Sequence, residues 1–423
     1  MKTPVPDYLD YVLSQCQQNS GQLADYIPEL ASANPNRLAL ALSTIDGTVY
    51  TSGDDEVEFT IQSISKPFAY ALAIQHLGLD AVLAKVGVEP SGEAFNQISL
   101  DPNKKIPKNP MINSGAITTH ALLPFKKSVS RAEELRRFLS ELAGRELEFD
   151  EQVYESEVKT AFRNLSIGYM LRTVEVLDQD PVEIVQGYIR QCAIKVTVKD
   201  LAQMTSVLAN GGIQAKTGKR LLDRHIVRQV LSVMMTCGMY DAAGDWLSMV
   251  GIPAKSGVAG GIIGVLPGQV GIAVFSPKLD EHGHSVRGVD IFERMSRDMG
   301  LHLMEGTPSA QTIVQARYLV GTNQDVVVYE LRGVLQFTES EMLLRILQDE
   351  PVAKTTIILD LTNLTLIHDV GVKMLFEGVA RLKQDGHKVV VIDSENLLDE
   401  EHLKGRKRIV SRVPLEKYLE QFQ

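Results

Sequence analysis

Residues 62–68 (QSISKPF) place Ser63 three positions before Lys66, where a helix is predicted to begin and run to Leu77. Positions three apart share a helical face, so the amine reaches the hydroxyl and, if uncharged, takes its proton. A lysine serves as a base only when burial or a cationic neighbour lowers its ammonium pKa. The helix start adds unpaired backbone N–H groups and the positive end of the helix dipole, which suit a developing anion. By itself this pattern is common in solvated helix starts. A second segment, residues 253–258 (PAKSGV), stands directly before an apolar, Gly-rich stretch with strand character. Its small residues let a ligand lie along the strand edge, with the Val258 N–H facing an oxyanion. The two segments together point to metal-free acyl transfer through a serine ester.

Other chemistries find less support. Residues 257–264 lack GxGxxG spacing and no GKS or GKT follows, which argues against a nucleotide loop. His282 and His284 stand two apart with no HExxH pattern or acidic partner in helical register, so a polar turn is the expected use. No local carboxylate spacing marks a glycosidase pair. Cys16, Cys192 and Cys237 form no CxxC or CxxH motif, so neither zinc nor a redox pair is expected. The sparse, odd set reads as reduced cytosolic thiols. No cofactor or metal is expected.

The elements that must position these residues can be outlined. Residues 37–52 read as two short strands around an Asp46-Gly47 turn. Residues 130–210 are mostly helical in pattern, and strands return at 262–275. This order describes an α+β body with an inserted helical part. Small residues at 306–310 mark a joint. Beyond it, strands are predicted at 326–331, 356–361 and 388–393, with helices at 339–347 and 370–384. That alternation describes a separate α/β unit. The expected division is therefore a catalytic domain at 1–305, a linker at 306–312 and a second domain at 313–423.

Length and composition agree with this division. At roughly 150 residues per domain, a chain of 423 residues suggests two to three domains. With 44% hydrophobic and 23% charged residues it is neither disordered nor a polytopic membrane protein. A formal charge of −10, from 53 acidic and 43 basic side chains, argues against a nucleic-acid-binding protein. Residues 256–277 carry no charge over a length able to span a bilayer, yet their Gly and Pro content favours a strand pair with turns. The N-terminal residues lack the apolar core of a secretory signal, so a cytoplasmic, membrane-free protein is expected.

An SxxK helix start with a downstream KTG-like strand is the motif pair of serine β-lactamases and penicillin-binding proteins. The separated blocks of the first 305 residues resemble more closely the serine-dependent glutaminases, similar in fold to those enzymes, with a helical subdomain. The blocks are residues 24–30 (ADYIPEL), 61–68 (IQSISKPF), 109–116 (NPMINSGA), 154–157 (YESE) with Arg163 and Asn164, 188–192 (YIRQC), 236–241 (TCGMYD) and 254–258 (AKSGV). The resemblance implies hydrolysis of L-glutamine to L-glutamate and ammonia, with Ser63 as nucleophile and Lys66 as its base. It implies substrate contacts from Asn113, Glu157, Asn164, Tyr188, Tyr240, Tyr26 and the backbone at Val258, with a tyrosine sharing the proton traffic. It also suggests a homo-oligomer, dimer or tetramer.

The second unit resembles a STAS domain, the module of anti-sigma factor antagonists and of anion-transporter tails. Residues 331–335 (LRGVL), 358–362 (ILDLT) and 367–371 (IHDVG) carry the resemblance. Regulatory members place a phosphorylatable serine before the following helix, where this chain has Val370, so a hydroxyl phospho-switch is not expected. Docking of a partner protein, nucleotide binding and simple oligomer support all stay open. The basic residues Lys404, Arg406, Lys407, Arg408 and Arg412 read as a solvated tail. Two rivals share the catalytic motifs. One is a β-lactam hydrolase or transpeptidase, which acts outside the cytosol. The other is a catalytically silent glutamine sensor reporting through the second unit.

Overall fold

Short apolar runs bounded by glycine turns form the first sheet of the computed structural model. The structure describes residues 5–25, 27–92, 96–304, 313–321, 325–335, 337–348, 355–399, 402–404 and 408–422. Strands β1 (Ala39–Thr44), β2 (Val49–Gly53), β3 (Ala254–Gly257), β4 (Gly261–Leu266) and β5 (Val270–Phe275) pair antiparallel in the order β2-β1-β5-β4-β3. The predicted turn joins β1 to β2. There Gly47 has a φ of +89°, and Thr48 N donates to Asp46 Oδ1 at 2.9 Å. The uncharged run at 256–277 covers strand residues of β3, β4 and β5. Among the described residues no helix is long and apolar enough to cross a membrane.

Alternate residues of a strand point to opposite faces, and this sheet is buried on both. Ala39, Ala41, Ile263, Val265, Ala273 and Phe275 enter one core, while Leu40, Leu42, Ile262, Leu266, Ile272 and Val274 enter another. The second core is closed by the Val5–Gln15 helix through Leu9 and Val12, and by the Val286–Met299 helix through Ile291, Phe292 and Met295. The first core is closed by helices inserted between β2 and β3. They include Ser65–Leu77, Arg131–Ala143, Val198–Ala209 and Arg224–Cys237. The order is thus mixed α+β with a helical insertion, and the two reactive segments lie at its ends. Ser63 follows β2, and Lys255 stands in β3.

Local sequence fixes the inserted helices. Asp150 caps Glu151–Lys159 by accepting from Gln152 N and Val153 N. Asp180 caps Pro181–Cys192, with Pro181 in the first turn. Thr197 and Asp200 form a reciprocal capping box. Such caps satisfy backbone donors that are otherwise unpaired at a helix start.

A second compact unit comprises Gly306–Gln423. Strands β6 (Val314–Val320), β7 (Val326–Leu335), β8 (Thr356–Ile367), β9 (Lys388–Ile392) and β10 (Val410–Ser411) form a sheet in the order β10-β9-β8-β7-β6. All pairs are parallel except β6 with β7. Helices Phe337–Gln348 and Asp369–Gln384 agree with the predicted ones to within two residues. The predicted linker at 306–312 lies outside the described residues, as do Arg406 and Lys407. The strands at 314–320 and 410–411 add to those predicted.

Gly238 ends the Arg224–Cys237 helix so close to β3 that a Cβ there would stand 1.8 Å from the Ala254 carbonyl oxygen. Gly238→Ala is therefore expected to push the helix away from β3 and to cost about 3 kcal/mol. Thermal denaturation followed by circular dichroism measures this, and an unchanged midpoint contradicts the packing.

Candidate active site

The chain does not enter the Ser65–Leu77 helix directly. Gln62–Ile64 form one 3-10 turn, and the α-helix starts at Ser65, which corrects the expectation of a helix from Ser63. Ser63 thus lies in the 3-10 turn and Lys66 in the first turn of the α-helix. Gln62 has a φ of +48°, a left-handed conformation that a side-chain-bearing residue holds only under constraint. A buried chain supplies the constraint. Ser65 Oγ donates to the Gln62 carbonyl at 2.8 Å, Gln191 Nε2 donates to Ser65 Oγ at 3.0 Å, and Gln191 Oε1 lies 2.7 Å from His120 Nδ1. Gln191 Oε1 can only accept, so His120 carries its hydrogen on Nδ1. Burial lowers the His120 pKa to about 4, which keeps the ring neutral.

Lys66 is fully buried, and burial lowers its pKa to about 7. Its Nζ donates to the Met111 carbonyl at 3.0 Å and to Asn113 Oδ1 at 2.8 Å. The loop that offers these acceptors is folded by Asn109. That side chain accepts from Met111 N at 3.0 Å and donates to the Glu89 carbonyl at 2.8 Å. The Ser63 side chain acts to lower the Tyr240 phenol pKa, against the larger effect of burial.

Tyr240 approaches from beyond the Arg224–Cys237 helix, again with a positive φ, +53°. Burial raises its pKa and that of Tyr188 well above the usual phenol value. Lys255 Nζ lies 3.9 Å from the Tyr240 ring centroid and donates to the Ser256 carbonyl at 2.7 Å. Burial, then the neighbouring Lys66, pushes the Lys255 pKa far down. Strand β3 ends tightly against the serine turn. A Cβ on Gly257 would stand 3.1 Å from the Ile61 carbonyl oxygen.

A cavity of about 280 Å³ opens on Ser63. Of the predicted site residues, Ser63, Asn113, Glu157, Asn164 and Tyr188 line it, together with Gln62, Asn96, Thr160, Ala161 and Arg163. Lys66, Tyr240 and Val258 are buried and are not among its lining residues, though Lys66 bonds to the lining Asn113, and Tyr26 lies outside the described residues. Asn113 Nδ2 donates to Asn164 Oδ1 at 3.0 Å, and Tyr188 OH donates to Asn113 Oδ1 at 3.4 Å. Glu157 Oε2 is buried with no hydrogen-bond partner. Burial raises the Glu157 pKa to about 7, against a hydrogen bond from Gln62 and the charge of Lys66. An unpaired buried carboxylate oxygen is costly, and its site suits a cationic ligand group.

Among the described residues no cluster of three His, Cys, Asp or Glu side chains stands ready for a metal. The expected polar turn is present at 281–283, where His282 N and His284 N donate to Asp280 Oδ1. His282 is exposed, but His284 is buried against Tyr240. Sequence reasoning also missed Gln62, Asn109, Gln191, His120 and the Met111 carbonyl. Glutamines and backbone oxygens carry no motif.

The glutaminase family model matches residues 21–304. A glutaminase of Corynebacterium glutamicum is 50% identical over 398 residues, 93% of this chain and 95% of that one. A crystal structure of Mglu in its glutamate form has a TM-score of 0.86 at 44% identity, covering 94% of this chain and 100% of that one. A probable glutaminase of Bacillus subtilis has a TM-score of 0.64 at 34% identity and covers 70% of this chain and 96% of that one.

Gln191→Leu keeps the bulk of the side chain but strands His120 Nδ1 and removes the donor that fixes Ser65 Oγ. It is expected to cost about 1–3 kcal/mol of stability and to lower kcat about tenfold by releasing the Gln62 turn. Thermal denaturation and ammonia release measure the two effects. A wild-type kcat would show that the turn holds without Gln191.

Proposed function

Because the chain belongs to the glutaminase family, we propose that its Ser63 attacks the side-chain carboxamide of glutamine with Lys66 as the base. The enzyme hydrolyses L-glutamine to L-glutamate and ammonia. The observation that carries the proposed site is the burial of the Lys66 amine beside a cavity that opens on Ser63. A neutral amine has two hydrogens and one lone pair. The hydrogens go to the Met111 carbonyl and Asn113 Oδ1, which leaves the lone pair for the Ser63 hydroxyl proton.

The steps balance as a two-stage acyl transfer. Ser63 Oγ adds to the amide carbon while its proton passes to Lys66. The backbone N–H groups of Ser63 and Val258 take the oxyanion. The C–N bond then breaks, and ammonia leaves with a proton relayed from Lys66 or through Tyr240. Water adds to the γ-glutamyl ester by the same route in reverse and frees Ser63. Tyr240 is favoured over Tyr188 for the relay, since Ser63 acts on the Tyr240 phenol, whereas the Tyr188 hydroxyl donates to Asn113 Oδ1. Glu157, with its unpaired Oε2, takes the α-ammonium of glutamine. Asn113, Asn164 and Tyr188 take polar atoms of the substrate, and Tyr26 belongs to the same set. A cavity of about 280 Å³ suits an amino-acid-sized ligand.

The first unit we assign to the β-lactamase-like class, with its helices inserted between β2 and β3. The second unit we assign to the STAS class, supported by its parallel sheet with one antiparallel edge. It is the part of the chain through which a partner protein would act. Free, buried Cys16, Cys192 and Cys237 fit a cytoplasmic enzyme. Phe162, 75% exposed, and Tyr169, 54% exposed, lie seven residues apart on one helix and offer a surface for a homo-oligomer.

Ser63→Ala and Lys66→Ala are each expected to abolish ammonia release while leaving the thermal midpoint near wild type. Ammonia from glutamine, asparagine and penicillin, assayed side by side, separates this reading from its rivals. Turnover of glutamine alone supports it, stable acylation by penicillin favours a β-lactam enzyme, and binding without ammonia favours a sensor. The pH profile gives an independent test. Lys66 must be neutral to act as a base and Glu157 ionised to hold the ammonium, and both change state near pH 7. kcat/KM is therefore expected to rise as pH increases through about 7. A flat profile from pH 6 to 8 contradicts these assignments.

A further inference from the structure

We propose that His284 is a positioning residue for this reaction, a single imidazole that locks the Tyr240 turn to the end of strand β3. The inference rests on the reading of Ser63 and Tyr240 given above. His284 is only 2% exposed, and both ring nitrogens are engaged. Nε2 lies 3.2 Å from the Met239 carbonyl and Nδ1 lies 2.8 Å from Ser256 Oγ. A carbonyl only accepts, so Nε2 carries the hydrogen and Nδ1 accepts from the Ser256 hydroxyl. The ring is thus used as one donor and one acceptor in its neutral form. Burial, which lowers its pKa to about 4, keeps it so.

The two residues it grips flank the chemistry. Met239 directly precedes Tyr240, whose left-handed backbone needs an outside constraint. Ser256 follows Lys255 and precedes Gly257 and Val258. The imidazole face also stacks on the Tyr240 ring, with centroids 5.9 Å apart and planes 11° from parallel. The Lys255 amine stands over the same phenol ring, 3.9 Å from its centroid. The imidazole is itself anchored, since His284 N donates to Asp280 Oδ1 at 2.9 Å and its carbonyl accepts from Asp280 N at 2.8 Å. The remaining titratable neighbours are His282, whose ring is 6.3 Å away, and Asp241, 3.2 Å from His282. One side chain therefore sets the distance between the proton relay and the oxyanion-binding N–H of Val258. Displacing either by about 1 Å is enough to cost two orders of magnitude in rate.

The test compares His284→Ala, His284→Gln and Ser256→Ala in the full chain, by ammonia release and thermal denaturation, with Ser63→Ala beside them. His284→Ala is expected to lower kcat about 10- to 100-fold. KM for glutamine should stay within about twofold, because Glu157, Asn113 and Asn164 are untouched. Glutamine at 284 again offers one donor and one acceptor, so His284→Gln should recover most of kcat. Ser256→Ala removes one of the two bonds and should fall between. A folded His284→Ala with wild-type kcat overturns the proposal, and so does His284→Gln that recovers the thermal midpoint but not kcat. If His284→Ala fails to fold, unchanged kcat in Ser256→Ala overturns it. Ammonia release by Ser63→Ala would instead overturn the nucleophile assignment beneath it, so the two failures are distinguishable.

Discussion

A lysine can take a proton near neutral pH only where its charged form is denied water, and this first unit buries two such amines, Lys66 and Lys255, within one site. Each finds an acceptor on the backbone, Met111 for one and Ser256 for the other. A neutral amine is satisfied by such partners, and burial outweighs the Glu157 charge that acts to raise the Lys66 pKa. The two charges also oppose each other, and Lys255 is held down partly by Lys66. Glu157 shows the mirror effect, with the same dry surroundings raising a carboxyl to about 7. The helical insertion and the doubly covered sheet thus do more than add apolar contact area. They exclude water from a small volume in which proton positions are set by burial.

Dryness alone does not aim the groups. The residues at the two critical turns, Gln62 before Ser63 and Tyr240 itself, have positive φ. Strained residues of this kind persist where the surroundings over-determine them. Each turn is gripped through a neighbouring carbonyl, Gln62 O by the Ser65–Gln191–His120 chain and Met239 O by His284. Both gripping histidines are neutral through burial. Both turns are therefore gripped by neutral donors and acceptors. This avoids fixed charges that would drag the lysine pKa values back up.

The residues proposed to react were legible in the sequence because the proposed roles depend on side-chain type at short spacing. Ser63 with Lys66, and Lys255 with Val258, are readable as chemistry without knowing the fold. The supporting groups were not legible for a physical reason. Gln191 lies 126 positions from Ser65, and the Met111 carbonyl 45 positions from Lys66, so no local pattern links them. The burial of His284 was missed for the same reason. With no partner in helical register it looks like part of a polar turn, while its partners, Ser256 and Met239, lie 28 and 45 residues earlier. The 3-10 entry to the Ser65–Leu77 helix escaped as well, since it reflects the tertiary grip on Gln62 rather than a preference of residues 62–64.

The strands divide along the same line. The Asp46-Gly47 hairpin and the apolar strands β7, β8 and β9 announce themselves through turn chemistry and continuous β-branched runs. Strand β6 does not, because its residues alternate between half-buried and exposed along its whole length. An edge strand needs only one apolar face and can place Gln315, Arg317 and Leu319 outward. Strand β10 has only two residues, and its place comes from Val391 and Ile392 of β9, to which it pairs. Sequence pattern records how much of an element is buried. Elements whose position is imposed by a neighbour leave little trace in it, and in this chain that holds for the sheet edges as much as for the histidines behind the active site.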